Sequence, residues 1–307
     1  MGSPAFAVPS LRALHAAGHT VLCAVCQPDA PKDRGHRLQP PPVKEAALEL
    51  GIPVRQPERV KGPRGQAFLD EVKTLGADIG VVAAYGKILP QELLDAPRAG
   101  CVNLHASLLP RFRGASPIQH AILEGDAETG VCLMRMVLEL DAGGVFARAR
   151  TPIRDDDTAE TLSERLAGLA ATLCTARLDE VVSGALVAEP QAAEGMTYAP
   201  LLTRQMGRLD LTGDAAREAR RIRAMTPWPG TWLPFRGEVL KVHAARAEVG
   251  GGGAPATVLA VGDGIRVACG TGSLVVTEVQ AAGKRRMHAA DWARGARLQP
   301  GDMLAER

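Results

Sequence analysis

Three polar side chains in the first half of the chain have the types and spacing needed for acyl transfer to an amine. Asn103 and His105 stand two residues apart at the end of the apolar run Cys101 to Leu104, so on a strand both side chains point to one face. Asp141 follows the apolar segment VCLMRMVLEL and precedes two glycines, a turn that can swing its carboxylate toward the same edge. An amide and a protonated imidazole can stabilise an oxyanion, and a carboxylate can orient the imidazole and help to move protons. On spacing alone, however, ordinary surface groups at strand ends are the commoner explanation.

The elements that must position this trio form an alternation of helices and strands. The sequence predicts helices over residues 8–17, 43–50, 65–75, 116–123 and 158–183, and strands over residues 20–26, 53–56, 78–84, 101–104, 132–138 and 145–153. This alternation predicts an α/β domain with a doubly wound, mostly parallel sheet. Asn103 and His105 would then lie at the carboxyl edge of the sheet, where open α/β folds bind ligands.

The pattern changes in the last third of the chain. Short alternating runs separated by glycines cover residues 257–260, 265–268 and 273–279, which favours a small β-barrel or sandwich. Residues 184–203 show little periodicity and include two prolines. We therefore predict a catalytic domain over residues 1–183, a linker over 184–203 and a small C-terminal β-barrel domain over 204–307.

Composition narrows the classes of protein to which the chain can belong. Of its 307 residues, 46% are hydrophobic and 23% are charged, as in globular proteins, so wholesale disorder is excluded. No apolar run approaches the roughly 18 residues that a membrane span needs, and the first residues do not form a signal peptide. Six scattered cysteines indicate reduced thiols rather than a disulfide framework or a metal site. We expect a cytoplasmic protein with no metal, no membrane association and no implied protein partner.

Charge is distributed unevenly along the chain. Residues 1–203 hold 20 Lys and Arg against 24 Asp and Glu, a net charge of −4, whereas residues 204–307 hold 16 against 10, a net charge of +6. Arg217, Arg220 and Arg221 share one face of a predicted helix at three- and four-residue spacing. A basic C-terminal third suggests a polyanionic partner, and a solvated basic face is the alternative.

A long ungapped segment carries a family resemblance. The stretch NLHASLLPRFRGASPIQHAILEGDAETGVCLMRMVLELDAGG resembles the signature of the 10-formyltetrahydrofolate-dependent formyltransferases, and the similarity continues through VVAAYGKILP, MTYAPLLT and RRIRAMTPWPGTW. It covers nearly the whole chain and is strongest to the members that act on initiator methionyl-tRNA. The resemblance implies a formyltransferase-type fold and transfer of a formyl group from 10-formyltetrahydrofolate to the methionine α-amine on that tRNA.

The same resemblance implies roles for particular residues. The catalytic Asn, His and Asp of the family fall on Asn103, His105 and Asp141, and its folate-binding Ser-Leu-Leu-Pro falls on a run of four residues: Ser107, Leu108, Leu109 and Pro110. Tyr85 and Gly86 lie in a segment that resembles the pterin pocket. The family turn Asp-Thr-Gly-Asp is here Asp141-Ala142-Gly143-Gly144, so any role of the missing Thr and second Asp is lost.

The resemblance also identifies a tRNA-binding loop. Residues 27–42 contain five prolines and no periodicity, which predicts a long loop, and a solvated insertion is the alternative reading. By resemblance Arg34 and Arg37 contact the acceptor end of tRNA, and the basic helix with Arg217, Arg220 and Arg221 contacts phosphates. The family motif Gly-Arg-Gly-Lys-Lys reads Asp33-Arg34-Gly35-His36-Arg37 here, so the charge is weaker.

Two matters stay open on the sequence alone. Family members begin with an apolar strand that runs into Gly-(Ser/Thr)-Pro, whereas this sequence opens at Met1-Gly2-Ser3-Pro4, so we expect Met1 to be an internal methionine of a longer chain. The alternative functions are a related formyltransferase acting on a sugar nucleotide or ribonucleotide amine, and a tRNA-binding protein without turnover.

Overall fold

The computed structural model describes residues 1–32 and 37–305, which pack into two compact units. The first comprises Met1–Pro117, Glu128–Pro152 and Ser163–Pro200, and the second comprises Ile118–Ala127, Ile153–Leu162 and Leu201–Arg307. The domain limits that we place at residues 183 and 203 stay a prediction.

The elements up to residue 200 alternate as the sequence predicts. The helices are α1 (Val8–Ala16), α2 (Pro42–Glu49), α3 (Gln66–Thr74), α4 (Gln91–Leu94), α5 (Pro117–Glu124) and α6 (Ala159–Ser183). The strands are β1 (Ala24–Val25), β2 (Ala30–Lys32), β3 (Arg37–Gln39), β4 (Val54–Arg55), β5 (Gly80–Val82), β6 (Cys101–His105), β7 (Arg113–Gly114), β8 (Glu128–Arg135), β9 (Val145–Pro152) and β10 (Tyr198–Ala199). Helix α1 begins with a proline in its first turn, the position where a missing N–H costs no hydrogen bond.

The sheet of the first unit is parallel on one side and antiparallel on the other. β1 pairs with β4 and β5 pairs with β6 in parallel, whereas β8 pairs antiparallel with both β6 and β9. Strands β6 and β8 are buried almost throughout, so their apolar side chains pack on both faces of the sheet. The predicted α/β class with a parallel sheet is confirmed, and β8 and β9 extend it as an antiparallel edge.

Met1 and Gly2 lie between β1 and β5. The Gly2 N–H donates to the Val25 carbonyl and the Ala83 N–H donates to the Met1 carbonyl, as two rungs of a ladder would. The Met1 ammonium donates to the Val81 carbonyl, 2.6 Å away. Beyond it lies a cavity of about 530 Å³, lined by residues 18–25 and 75–81 among others.

Two expectations for the early chain need correction. The strand predicted over residues 20–26 is reduced to β1, because Ala24 and Cys26 donate to the carbonyls of Pro53 and Arg55, whereas residues 20–23 lie along the cavity. The loop predicted over residues 27–42 contains a hairpin, since β2 and β3 pair antiparallel from Ala30 with Gln39 to Lys32 with Arg37. Periodicity did not predict this pairing, because the segment contains five prolines and no regular alternation of polar and apolar residues.

The second unit contains a basic helix and an antiparallel sheet. Its elements beyond residue 200 are α7 (Ala215–Ala224), α8 (Ala289–Ala296), β11 (Thr231–Phe235), β12 (Glu238–Glu248), β13 (Val258–Val261), β14 (Ile265–Ala268), β15 (Ser273–Ala281) and β16 (Met287–His288). Leu233, Val242, Ile265 and Val276 belong to its buried core.

The strands of this unit form an open path rather than a closed barrel. Their order is β11-β12-β15-β14-β13, with β16 paired to β15. Within the described residues no ladder joins the outer strands β11 and β13, so the predicted barrel closure is wrong although the predicted antiparallel strands are present. In the part of the chain that the structure describes, no helix is long and apolar enough to cross a membrane.

Candidate active site

His105 ends strand β6 and is fixed through its Nε2 atom. The ring is buried, and Nε2 lies 2.9 Å from the Phe112 carbonyl oxygen. A carbonyl can only accept, so Nε2 carries the proton and Nδ1 is the nitrogen left for chemistry. The carbonyl is aimed by an unusual backbone, because Phe112 has φ of 61° and its N–H donates to Thr197 Oγ1 at 2.9 Å.

Asp141 brings its carboxylate to the free side of this imidazole. Its Oδ2 lies 3.7 Å from His105 Nδ1 and accepts a 2.8 Å hydrogen bond from the Gly114 N–H. The Asp141 side chain is only 15% exposed, so the ion pair that would form with a protonated His105 is weakly screened. Asp141 itself has φ of 48°, in the left-handed region. The turn after β8 therefore swings the carboxylate back to His105.

Asn103 sits two residues before His105 on the same strand and is partly exposed. Between residues 1 and 32 and between 37 and 305, nothing hydrogen-bonds its side-chain amide. The amide therefore has a donor and an acceptor free for a bound substrate.

The four residues of the implied folate segment differ in what they can offer. Ser107 is fully buried, and its hydroxyl donates to the Arg111 carbonyl at 2.6 Å, so it closes the loop. Leu109 packs with Cys132, and its N–H donates to the Cys132 thiol, whose pKa burial raises to about 11. Leu108 and Pro110 are the partly exposed members. Of the four residues, Leu108 and Pro110 thus have side-chain surface that a ligand could reach.

Tyr85 and Gly86 follow strand β5. The Tyr85 side chain is buried among core residues, its hydroxyl has no hydrogen-bond partner among the residues that the structure describes, and burial raises its pKa to about 12. Its carbonyl accepts from Gln27 Nε2 at 2.9 Å. Gly86 is exposed with φ of 76°, and a Cβ there would lie 2.7 Å from Gln27 Nε2. This segment can therefore contribute backbone, rather than the Tyr85 ring, to a pocket.

The arginines of α7 have unequal surroundings. Arg221 is 15% exposed and bonds Glu218, which is 3% exposed, and the Met206 carbonyl. Arg220 donates to the Leu123 carbonyl at 3.3 Å, and Arg217 lies 3.5 Å from Glu124 with half its side chain in solvent. Arg34 lies outside the described residues, and Arg37 is placed only as the first residue of β3.

Three residues near the site escaped the sequence analysis. Gln191 donates to the backbone of the Asp141 turn, Arg113 is a buried partner of Gln191, and Thr197 fixes Phe112. Arg113 in LLPRFRG could have been noticed from the sequence, because an arginine that becomes buried requires a hydrogen-bond acceptor. Gln191 and Thr197 carried none, because they lie in a segment without periodicity.

Most of the chain matches two known protein-family models. Residues 1–178 match the family described as formyl transferase, and residues 201–297 match the formyl transferase C-terminal domain. The chain therefore belongs to the formyl transferase family.

Curated relatives share one name. The chain is 51% identical over 302 residues to the methionyl-tRNA formyltransferase of Myxococcus xanthus, with 98% of this chain and 95% of that protein covered. It is 48% identical to the protein of that name from Halorhodospira halophila, with 98% and 96% covered. The Neisseria meningitidis serogroup B protein of that name is 45% identical, with 99% and 98% covered.

Solved structures share the fold at low sequence identity. An N-formyltransferase from Helicobacter canadensis in complex with folinic acid and dTDP-3-aminofucose aligns with a TM-score of 0.68 at 16% identity, covering 91% of this chain and 97% of that one. HypX from Aquifex aeolicus in complex with tetrahydrofolic acid aligns with a TM-score of 0.58 at 18% identity, covering 85% of this chain and 47% of that one. Both support the formyltransferase fold.

Proposed function

We propose that this protein transfers the formyl group of 10-formyltetrahydrofolate to the α-amine of methionine on initiator methionyl-tRNA. The observation that carries the proposal is that His105 Nδ1 lies 3.7 Å from the Asp141 carboxylate. Asn103, two residues before His105 on β6, has an amide that no described residue hydrogen-bonds. Identity of 43–51% to curated methionyl-tRNA formyltransferases over nearly the full chain supports the choice of acceptor.

The reaction needs no residue beyond these three for its proton and charge movements. The neutral amine attacks the formyl carbon, a C–N bond forms, and the carbonyl electron pair moves to oxygen. The Asn103 amide donates a hydrogen bond to that oxygen, as does His105 through Nδ1 when protonated. Collapse of the intermediate breaks the bond to folate N10.

Protons leave the amine and reach the leaving nitrogen through the same pair. The attacking nitrogen becomes cationic, and the Asp141 carboxylate takes its proton as a general base. The proton is returned to N10 as the C–N10 bond breaks, so the enzyme ends in its starting state. The Phe112 carbonyl keeps Nε2 protonated throughout, which reserves Nδ1 for the reacting side.

The binding residues complete the proposal. Leu108, Leu109, Pro110 and Ser107 shape the loop that receives the donor, with the backbone near Tyr85 and Gly86. Arg34, Arg37, Arg217 and Arg220 are the proposed phosphate contacts, and Arg221 supports α7 through Glu218. We further propose that the protein acts in the cytoplasm, where charged initiator tRNA is its substrate.

One assay separates this function from the alternatives. Formyl transfer from 10-formyltetrahydrofolate is measured with charged initiator tRNA, with charged elongator methionine tRNA and with an amino-sugar nucleotide as acceptors. We expect turnover with initiator tRNA that exceeds turnover with both controls. Preference for the amino-sugar nucleotide would replace the acceptor, and tRNA binding without any transfer would leave a binding protein.

A further inference from the structure

A short segment from the region predicted as a linker is bonded to the turn that carries Asp141. Gln191 Nε2 donates to the Asp141 carbonyl at 2.7 Å and to the Gly143 carbonyl at 2.8 Å. Glu189 exchanges two backbone hydrogen bonds with Val145, at 2.8 and 2.9 Å. Residues 189–191 are therefore bonded to the turn at Asp141 and Gly143 and to Val145 just after it.

The orientation of the Gln191 amide is fixed from its other side. Arg113 is 7% exposed, and its Nε and Nη2 donate to Gln191 Oε1 at 3.1 and 2.9 Å. Because guanidinium groups only donate, Oε1 must face Arg113 and Nε2 must face the two carbonyls. Gln191 thus joins a buried cation to the turn, and a flipped amide would break all four bonds.

Arg113 also links this amide to the Asp141 carboxylate through the chain. Its neighbour Gly114 donates to Asp141 Oδ2, and both residues pair with Tyr198 and Ala199. The backbone of Asp141 is held by Gln191, and its carboxylate is held by the residue that follows Arg113. Gln191 therefore contacts the Asp141 backbone directly, and Ala199 contacts the Asp141 carboxylate only indirectly, by pairing with Gly114.

The turn itself needs this support. Asp141 has φ of 48°, a left-handed conformation that costs a non-glycine residue free energy unless its surroundings hold it. Gly143 and Gly144 permit the close approach: a Cβ at Gly143 would lie 1.9 Å from the Arg135 carbonyl oxygen, and one at Gly144 would lie 2.9 Å from the Ala188 Cβ.

We propose that Gln191 is a positioning residue for catalysis, which holds the left-handed turn so that the Asp141 carboxylate faces His105 Nδ1. The proposal rests on the proposed function for its kinetic consequence, but the placement it describes is a property of the fold. Gln191 does not touch the reacting atoms. Its loss should therefore lower turnover without lowering the affinity for the formyl donor.

Two variants test the proposal. Gln191→Glu keeps an acceptor for Arg113 but removes the donors to both carbonyls, and Gln191→Met keeps the side-chain length while removing all four bonds. Glu194→Gln, an exposed change in the same segment, is the matched control. We expect kcat to fall about 10- to 100-fold in Gln191→Glu, because a misplacement on the order of 1 Å has that cost, while the donor KM changes less than about threefold.

Two further measurements distinguish positioning from simple instability. Because a carboxylate oxygen in Gln191→Glu would face the Asp141 and Gly143 carbonyls, its thermal midpoint should fall even though Arg113 stays paired, so kcat is measured well below the midpoint of each variant. The amide proton of Gly114, followed by NMR, should move upfield as its bond to Asp141 weakens. The Gln191→Met variant is expected to lose more stability, because it removes two hydrogen bonds from the buried Arg113 and leaves its 3.5 Å contact with Glu139.

The outcomes separate this inference from the proposed function. Wild-type kcat in Gln191→Glu, an unmoved Gly114 amide, or activity lost only in proportion to stability would each overturn the positioning role. An absence of formyl transfer in the unaltered protein would instead refute the proposed function, and the Gly114 resonance would still decide whether Gln191 places Asp141.

Discussion

At His105 the two ring nitrogens have different tasks, and the division is set by a backbone carbonyl. The sequence assigned the orientation of the ring to Asp141, whereas the Phe112 carbonyl holds it through Nε2. Asp141 lies 3.7 Å from Nδ1, beyond hydrogen-bond distance, so its part is to respond to charge at the reacting side. The Asn103 amide has no hydrogen-bond partner among the described residues, so it is available to a bound substrate.

Replacing Asn103 with Ala should lower kcat about 10²- to 10³-fold, the usual loss for one oxyanion donor, with the donor KM changed less than twofold. No bond among the described residues depends on this side chain, so the thermal midpoint should stay near that of the unaltered protein. Single-turnover formylation of charged initiator tRNA measures the effect. A variant with near-normal turnover would remove Asn103 from the oxyanion site.

At the scale of elements, the arginines of α7 differ in their surroundings: Arg221 pairs with a buried carboxylate, whereas half of the Arg217 side chain lies in solvent. Glu218 accepts from Arg221 and from the Asp210 N–H, so this carboxylate and this guanidinium form a nearly buried pair. Arg217 is the exposed one of the three, and both Arg217 and Arg220 make longer contacts than Arg221 does. Of the three arginines predicted to form a basic face, Arg217 and Arg220 are therefore the two that we expect to contact phosphates.

Changing Arg217 and Arg220 together to Gln should flatten the dependence of tRNA affinity on salt by about 0.7–0.9 log units per lost phosphate contact. Arg221→Gln should behave differently and cost on the order of 1–3 kcal/mol of unfolding free energy, because it leaves Glu218 buried without its cation. Affinity titrations at several salt concentrations and denaturant unfolding measure the two effects. A salt slope unchanged in the double variant would place both arginines outside the interface.

Met1 and Gly2 occupy an interior position of the sheet, between β1 and β5. Two residues supply the ladder bonds to Val25 and Ala83, and the ammonium of Met1 occupies a buried place that a strand amide would suit. Burial lowers the pKa of this amino group below its ordinary value of 8.0. The upstream strand itself stays a prediction.

In protein whose chain begins at Met1, the ammonium of Met1 makes the free energy of unfolding depend on pH in a definite direction. Below pH 8 the unfolded chain binds this proton more tightly than the folded chain does, so the free energy of unfolding rises with pH and levels off above 8. The slope contributed by this group is at most about 1.4 kcal/mol per pH unit. Denaturant unfolding from pH 6 to 9 should show it in protein that retains Met1, and Nα-acetylation should abolish it. Identical curves for the two forms would contradict the assignment.

For the whole molecule, we expect the binding of a polyanion to depend on how charge is distributed along the chain more than on the net charge. A net charge of +2 combines −4 over residues 1–203 with +6 over residues 204–307. A polyanion should respond to the positive part, whereas the formyl donor carries few charges and releases few counterions.

Raising salt from 50 to 200 mM should therefore weaken tRNA binding roughly 50-fold, if Arg34, Arg37, Arg217 and Arg220 each contact one phosphate. Binding of the formyl donor should change less than about twofold over the same range. Equilibrium titrations with each ligand provide the comparison. Equal salt dependence for both ligands would show that the basic third does not act on phosphates.

The sequence by itself determined the class of fold and most of its elements, and it singled out Asn103, His105 and Asp141 as the candidate reacting centre. Helix α6 and strands β14 and β15 lie close to their predicted ranges, because periodicity and glycine punctuation are local signals of backbone and burial. Asn103 and His105 could be paired because the two-residue repeat of a strand fixes their common face.

Tertiary structure alone decided what holds that centre in place. The bond from Gln191 to Asp141 spans 50 residues and the bond from Phe112 to Thr197 spans 85, so no local pattern encodes either. Arg221 shares the spacing of Arg217, yet packing buries it against Glu218 and makes it part of the core of its unit. Periodicity records which face of an element is apolar, whereas the partner of a polar side chain depends on which distant segment packs against it.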